Sequence, residues 1–270
     1  MNWFPLKYKN RLLRNAHQRN CNPLLNRILT LLIMPFFALC CLAQVGCNFG
    51  AKHNNVTGCQ AFEMGQYSQA INEFQRALTK NPNDADALYN LGASLYAQGK
   101  KTNNGQVLGQ AEQLYRQAIA ANDQHVDAHR GLASLLIETN REKYAFDLMN
   151  QWKDRYPTTT EPFVELARLY QEYGDNRRAT DLLTDALKID SNNVRVLKAM
   201  GHVREIQGQT HLALDNYLRV LQLDNQQTSV AQRVASLRSQ LASLPVANGT
   251  NGATTTNPSR YGSINPFLQR

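Results

Sequence analysis

Ala70 to Pro82 reads Ala-Ile-Asn-Glu-Phe-Gln-Arg-Ala-Leu-Thr-Lys-Asn-Pro. Ala70, Phe74 and Ala77 are four and three apart, so they share one stripe of an α-helix. Small residues on either side of the ring let a second helix approach closely, and Pro82 stops the run. The Ala70 place recurs at Ala111, Ala145, Ala179 and Ala213, in steps of 41, 34, 34 and 34 residues. The first step is one 34-residue period plus an insertion of seven. The Phe74 place recurs as Tyr115, Met149, Leu183 and Tyr217, and the Ala77 place as Ala118, Trp152, Ala186 and Val220. Gly65, Gly99, Asn140, Gly174 and Gly208 keep the same register. Glycine or asparagine is what a left-handed helix terminus takes. This is a repeat protein.

The first half of each unit carries a second pattern: Leu88-x2-Leu91-Gly92-x2-Leu95, Phe163-x2-Leu166-Ala167-x2-Tyr170 and Leu197-x2-Met200-Gly201. In the third unit His129 stands in the aromatic place before Leu132, Ala133 and Leu136. Together the two halves resemble the tetratricopeptide repeat, an aromatic-x2-Leu-Gly-x2-Tyr first helix followed by an Ala-x3-Phe second helix ending near Pro. The resemblance implies an all-α fold, a right-handed α-solenoid of five helix pairs near residues 51–84, 85–125, 126–159, 160–193 and 194–227. The first unit departs most, with Asn54 and Thr57 where large apolar residues belong, as suits an end that packs on one side only. Val230, Val234, Leu237 and Leu241 have helical spacing and predict a capping helix over 228–244, closing a domain of 51–244. The seven extra residues are expected as a polar protruding loop around Lys100 to Gly105. Gly99-Lys100-Lys101-Thr102 is not a phosphate-binding loop, because position 94 is Ser where a second glycine belongs. Residues 245–270, rich in Asn, Thr, Gly and Pro, are expected to be a disordered tail. Its Asn265-Pro266-Phe267-Leu268 has the form of a short docking motif.

Residues 1–27 carry Lys7, Lys9, Arg11, Arg14, Arg19 and Arg27 and no acid, and a short apolar run follows from Ile28 to Ala43. A basic leader before such a run predicts a signal peptide or membrane anchor over 1–47. Cys41-Leu42-Ala43 offers the small residues an ordinary signal peptidase inspects. Val45-Gly46-Cys47 resembles the end of a bacterial lipobox, which would make Cys47 a lipidation site; Gln44 departs from that pattern. Asn48 stands where an aspartate would signal inner-membrane retention. The expected location is therefore exported, in the cell envelope and held at a membrane by the leader or by lipid.

The formal net charge of +8 is mostly this leader: without its six charges, 23 basic residues face 21 acidic ones. No basic stripe with interleaved aromatics remains, which argues against nucleic acid as a partner. The five cysteines give no disulfide framework and no zinc spacing, and Cys59 is expected as a small packing residue. His125 and His129 alternate with Asp123 and Asp127, but the repeat frame puts the first in a turn and the second on a core face, so neither metal nor cofactor is expected. No nucleophile–base set can be assembled, and the reading is non-enzymatic.

The tetratricopeptide resemblance implies a concave groove lined by the first helices. Its peptide-binding candidates are Tyr89, Asn90, Tyr96, Arg130, Arg168 and Lys198. The clamp that such proteins use for chaperone C-termini is matched at Asn90 alone, with Asn55, Cys59, Asp127 and Gly131 in its other places. The expectation is an exported scaffold that binds a protein or peptide segment. A signal with five repeats resembles, in architecture, the envelope lipoproteins that assist pilus assembly. The alternative is a structural spacer or self-associating envelope protein.

Overall fold

The structure is a computed structural model, and it describes residues 53–243. Residues 1–52 and 244–270, and with them the leader, Cys47 and the tail motif, lie outside the described residues. Eleven helices and no strand occur among the described residues. They are α1 (53–63), α2 (Tyr67–Lys80), α3 (Ala85–Thr102), α4 (Gly105–Ala121), α5 (Val126–Glu138) and α6 (Glu142–Arg155), then α7 (Thr160–Glu172), α8 (Asn176–Ile189), α9 (Val194–Ile206), α10 (Thr210–Leu223) and α11 (Thr228–Ala242). Each helix packs on the next, giving five pairs and a final single helix. The first helices α3, α5, α7 and α9 also approach one another directly. They therefore form the inner layer, towards which the stack curves.

The residues of the recurring stripe are the core. Ala70, Ala111, Ala145, Ala179 and Ala213 are all fully buried, as are Phe74 and Tyr115. Met149, Leu183 and Tyr217 fill the same place in later pairs. The space each ring needs is made by the first helix of its own pair. A Cβ on Gly58 would lie 2.6 Å from the Phe74 ring, on Gly92 3.0 Å from Tyr115, and on Gly201 2.7 Å from Tyr217. Where the second helix carries Met149 or Leu183 instead, the first helix carries Ala133 or Ala167 and not glycine. Ring size and backbone clearance are matched pair by pair.

The seven-residue insertion is not a loop. α3 has 18 residues where α5, α7 and α9 have 13, and α4 has 17 where α2, α6, α8 and α10 have 14. Eight residues are added to helices and one is lost from the connection, leaving Asn103 and Asn104 alone between them. The helix continues because Lys100, Lys101 and Thr102 contain no breaker. Asn103 takes the left-handed conformation at φ 50°, and the Asn104 side chain caps α4 by accepting from Gln106 N and Val107 N. Gly65, Asn140, Gly174 and Gly208 have positive φ as their register implies. Gly99 does not. It lies inside α3, where a Cβ would come within 3.0 Å of Leu108.

Cys59 is buried in α1, within the core cluster that includes Phe74 and Leu91.

Candidate functional site

Three first helices meet at one carboxylate. Glu165 sits at the middle of α7, its side chain 1% exposed. From α5, Arg130 grips it with two N–H groups, Nε donating to Oε2 at 2.9 Å and Nη2 to Oε1. The same guanidinium donates through Nη1 to Asp127 Oδ1 at 2.8 Å. From α9, Arg195 donates to Glu165 Oε1. Arg168, one turn along α7, is the loosest member, its Nη2 3.3 Å from Glu165 Oε2. Burial alone would raise the carboxyl, but Arg168, Arg130 and Arg195 hold it down at about 2. Burial works against the Arg130 charge, and Glu165 overcomes it and raises the guanidinium further above its ordinary value. Glu165 and Arg130 are thus both held in their charged forms, and the network straps three repeats together.

Towards the N-terminal end the inner layer is packed with rings, some of them from the second helices. Tyr89 packs against Tyr115 and His125, at centroid distances of 5.8 and 5.4 Å. His129 stacks on Trp152 at 4.0 Å with the planes 11° apart, so the wide Trp152 occupies a place that other pairs fill with Ala or Val. Burial pushes the His129 imidazole down to about 4. His125 is the N-cap of α5: its Nδ1 accepts from Ala128 N at 3.1 Å and its Nε2 lies 3.0 Å from Asp86 Oδ1. That pattern assigns the proton to Nε2. The two histidines are thus a cap and a core ring, and no group of three metal-ligating side chains occurs among the described residues. Across the same junction Glu138 of α5 accepts from Tyr96 and, at 2.6 Å, from Lys100 Nζ. Lys100 also lies over the Tyr96 ring, 5.3 Å from its centroid. The extra turn of α3 is what brings Lys100 there.

Residues 60–99 match the TPR repeat family, and residues 103–158 match the tetratricopeptide repeat. The chain carries tetratricopeptide repeats. Such proteins are typically non-enzymatic scaffolds that bind protein or peptide partners. Among solved structures, a thermophilic TPR protein of Thermus thermophilus aligns at 20% identity, TM-score 0.52, over 70% of this chain and 99% of its own. MamA from Desulfovibrio magneticus RS-1 aligns at 16% identity and TM-score 0.41, over 66% of this chain and 97% of its own. YrrB, a TPR protein with an unusual peptide-binding site, aligns at 13% and 0.39, over 67% and 89%. The Thermus likeness speaks for the fold and for nothing finer. No curated protein matches the sequence.

Seen on this tetratricopeptide stack, the six predicted groove residues separate into two groups. Tyr89 is 1% exposed, and Asn90 and Tyr96 are equally buried, so all three pack between repeats and do not line an open surface. The reason is the close approach of α3 and α5, whose start covers Tyr89 with His125. Asn90 donates to Asn55 Oδ1 at 2.9 Å and to Cys59, two of the places a chaperone clamp would use. Arg130 is buried in the Glu165 network. Arg168 and Lys198 remain half-exposed, and Lys198 donates to Gln227 Oε1 at 3.0 Å. Around them the accessible inner face is Ser134, Gln171 and His202, the last two 2.6 Å apart. Sequence reading missed the Glu165 network. The signal was present as Asp127, Arg130, Glu165 and Arg195 in inner-layer places of successive units, where long side chains of opposite sign meet.

Proposed function

We propose that this chain is an exported, non-enzymatic scaffold whose first-helix layer holds a segment of another protein in the cell envelope, in an assembly role. One observation carries the reading. Ser134, Arg168 and His202 recur 34 residues apart on α5, α7 and α9, forming a row that crosses three helices and is reachable by solvent. An extended segment laid along that row meets one side chain per repeat. The basic leader and apolar run of residues 1–43 support export, and Gly46-Cys47 supports a lipidated N-terminus that holds the solenoid at a membrane. No described helix is long and apolar enough to cross a membrane.

The second helices offer a matched control, because Asp147, Asp181 and Asp215 form an exposed row of the same period on the outer layer. A photo-crosslinking residue at Ser134 or His202 is expected to capture a partner from envelope extracts, and one at Asp147 or Asp215 is not. Equal capture from both rows would point to a spacer that associates without a defined groove. Replacing Cys47 by Ser and weighing the intact chain tests the anchor separately: loss of a lipid mass is expected.

A further inference from the structure

The Glu165 network has more donors than its carboxylates can use. Two oxygens on Glu165 are shared by Arg130, Arg168 and Arg195, and Asp127 accepts from Arg130 alone. Arg130 consumes the best geometry, with two contacts to Glu165 and one to Asp127. Arg168 is left with one contact at 3.3 Å, and its Nε is buried with no hydrogen-bond partner. A guanidinium presents five N–H donors in a planar fork that suits a carboxylate. Arg168 is 31% exposed and lies in the accessible row between Ser134 and His202.

We propose that the inner face takes an acidic segment, and that Arg168 is the residue that receives a carboxylate of that segment above the Glu165 strap. This inference rests on the proposed groove reading and narrows its partner to one carrying Asp or Glu within an extended stretch. Glu165 holds Arg168 in place from below. Two acids on the same face of α7, Glu161 and Glu172, lie two turns before and one turn after Arg168 and oppose the incoming charge. They make Arg168 the centre of the site and limit the affinity.

The test uses the full chain in mild detergent and fluorescein-labelled octapeptides of alternating Glu and Ala, acetylated and amidated. Anisotropy is expected to rise with the Glu peptide and not with its Gln counterpart. Arg168→Ala should weaken binding about tenfold or more. Arg168→Lys, which keeps the charge but loses the fork, should fall between. Glu172→Gln should tighten binding, and the affinity of the native chain should drop as salt rises. A Gln peptide with a free C-terminus separates a terminal carboxylate from a side-chain one; its binding in place of the amidated Glu peptide would reassign the ligand and overturn the acidic segment. Equal binding of Glu and Gln peptides, no binding of either, or an unaltered Arg168→Ala chain overturns the proposal as well. The groove reading itself stands or falls on the crosslinking rows, whatever the charge of the peptide.

Discussion

Where α3 meets α5 the contact is made by rings: Tyr89 lies against His125 at the start of α5 and against Tyr115 of α4, and His129 of α5 is backed by Trp152 of α6. Between α5, α7 and α9 it is made by one carboxylate under three guanidiniums. The ring cluster draws on first and second helices, whereas the ionic one joins the first helices of three consecutive repeats; His129 and Glu165, at their centres, are both buried. They differ in which protonation state they hold. The ring junction keeps its imidazole neutral, because burial disfavours the charged form. The ionic junction keeps its carboxyl charged against the same burial. A solenoid whose repeats share one backbone plan can therefore vary the chemistry of each joint independently.

The ionic joint should yield the largest single effect. Glu165→Ala leaves Arg130 buried with Asp127 alone, and removing one partner of such a pair costs about 3–5 kcal/mol. Urea unfolding measures it. A loss below about 1 kcal/mol, the range of exposed pairs, would mean that water already screens the network and the contrast fails.

The two joints should also part with stability in different pH ranges. An unfolded histidine titrates near its ordinary 6.5, whereas folded His129 does so at about 4. The unfolded chain therefore takes up the proton first. Stability is whole above 6.5 and falls as pH drops towards 4, by up to about 3 kcal/mol. Glu165 behaves alike in sign but lower on the scale, its stabilisation being lost from about 4.5 down to about 2. Thermal melts across pH should resolve two steps, and His129→Phe should erase the upper one only. A single step that survives the substitution would show the joints to be coupled.

Smaller effects sharpen the picture within one pair. Gly201→Ala should cost about 1–3 kcal/mol by pressing on Tyr217. Adding Tyr217→Leu, which copies the Ala167 and Leu183 combination, should recover part of that loss in a double-mutant cycle. Asn103→Ala should cost roughly 1 kcal/mol through its left-handed backbone, and Asn103→Gly nothing or less. Were Gly99 the terminus, neither change at position 103 would matter.

The frame of the fold was legible because a period of 34 repeats small, large and small residues whose burial is nearly invariant, from Ala70 through Val220. The insertion misled at Gly99, since a lone glycine marks a terminus only when a helix-compatible stretch does not follow it. Asn103-Asn104-Gly105, a left-handed residue followed by a cap, was the truer sign. The site was legible by place and not by exposure. The repeat frame puts Tyr89, Tyr96 and Arg130 on first helices, but only the neighbouring side chains decide whether an inner place stays open or is covered by His125, Glu138 or Glu165.

The matching of glycine to ring and alanine to aliphatic side chain has a bearing on how such a gene can change. Copying or deleting a whole 34-residue unit keeps both members of each match together. A crossover between the two helices of a unit separates them. Joining the α9 backbone, with Gly201, to a partner carrying Leu183 leaves a hole, and joining the α7 backbone, with Ala167, to one carrying Tyr217 forces a collision. The unit that can be shuffled in this protein is the hairpin, and its inheritance is all or nothing.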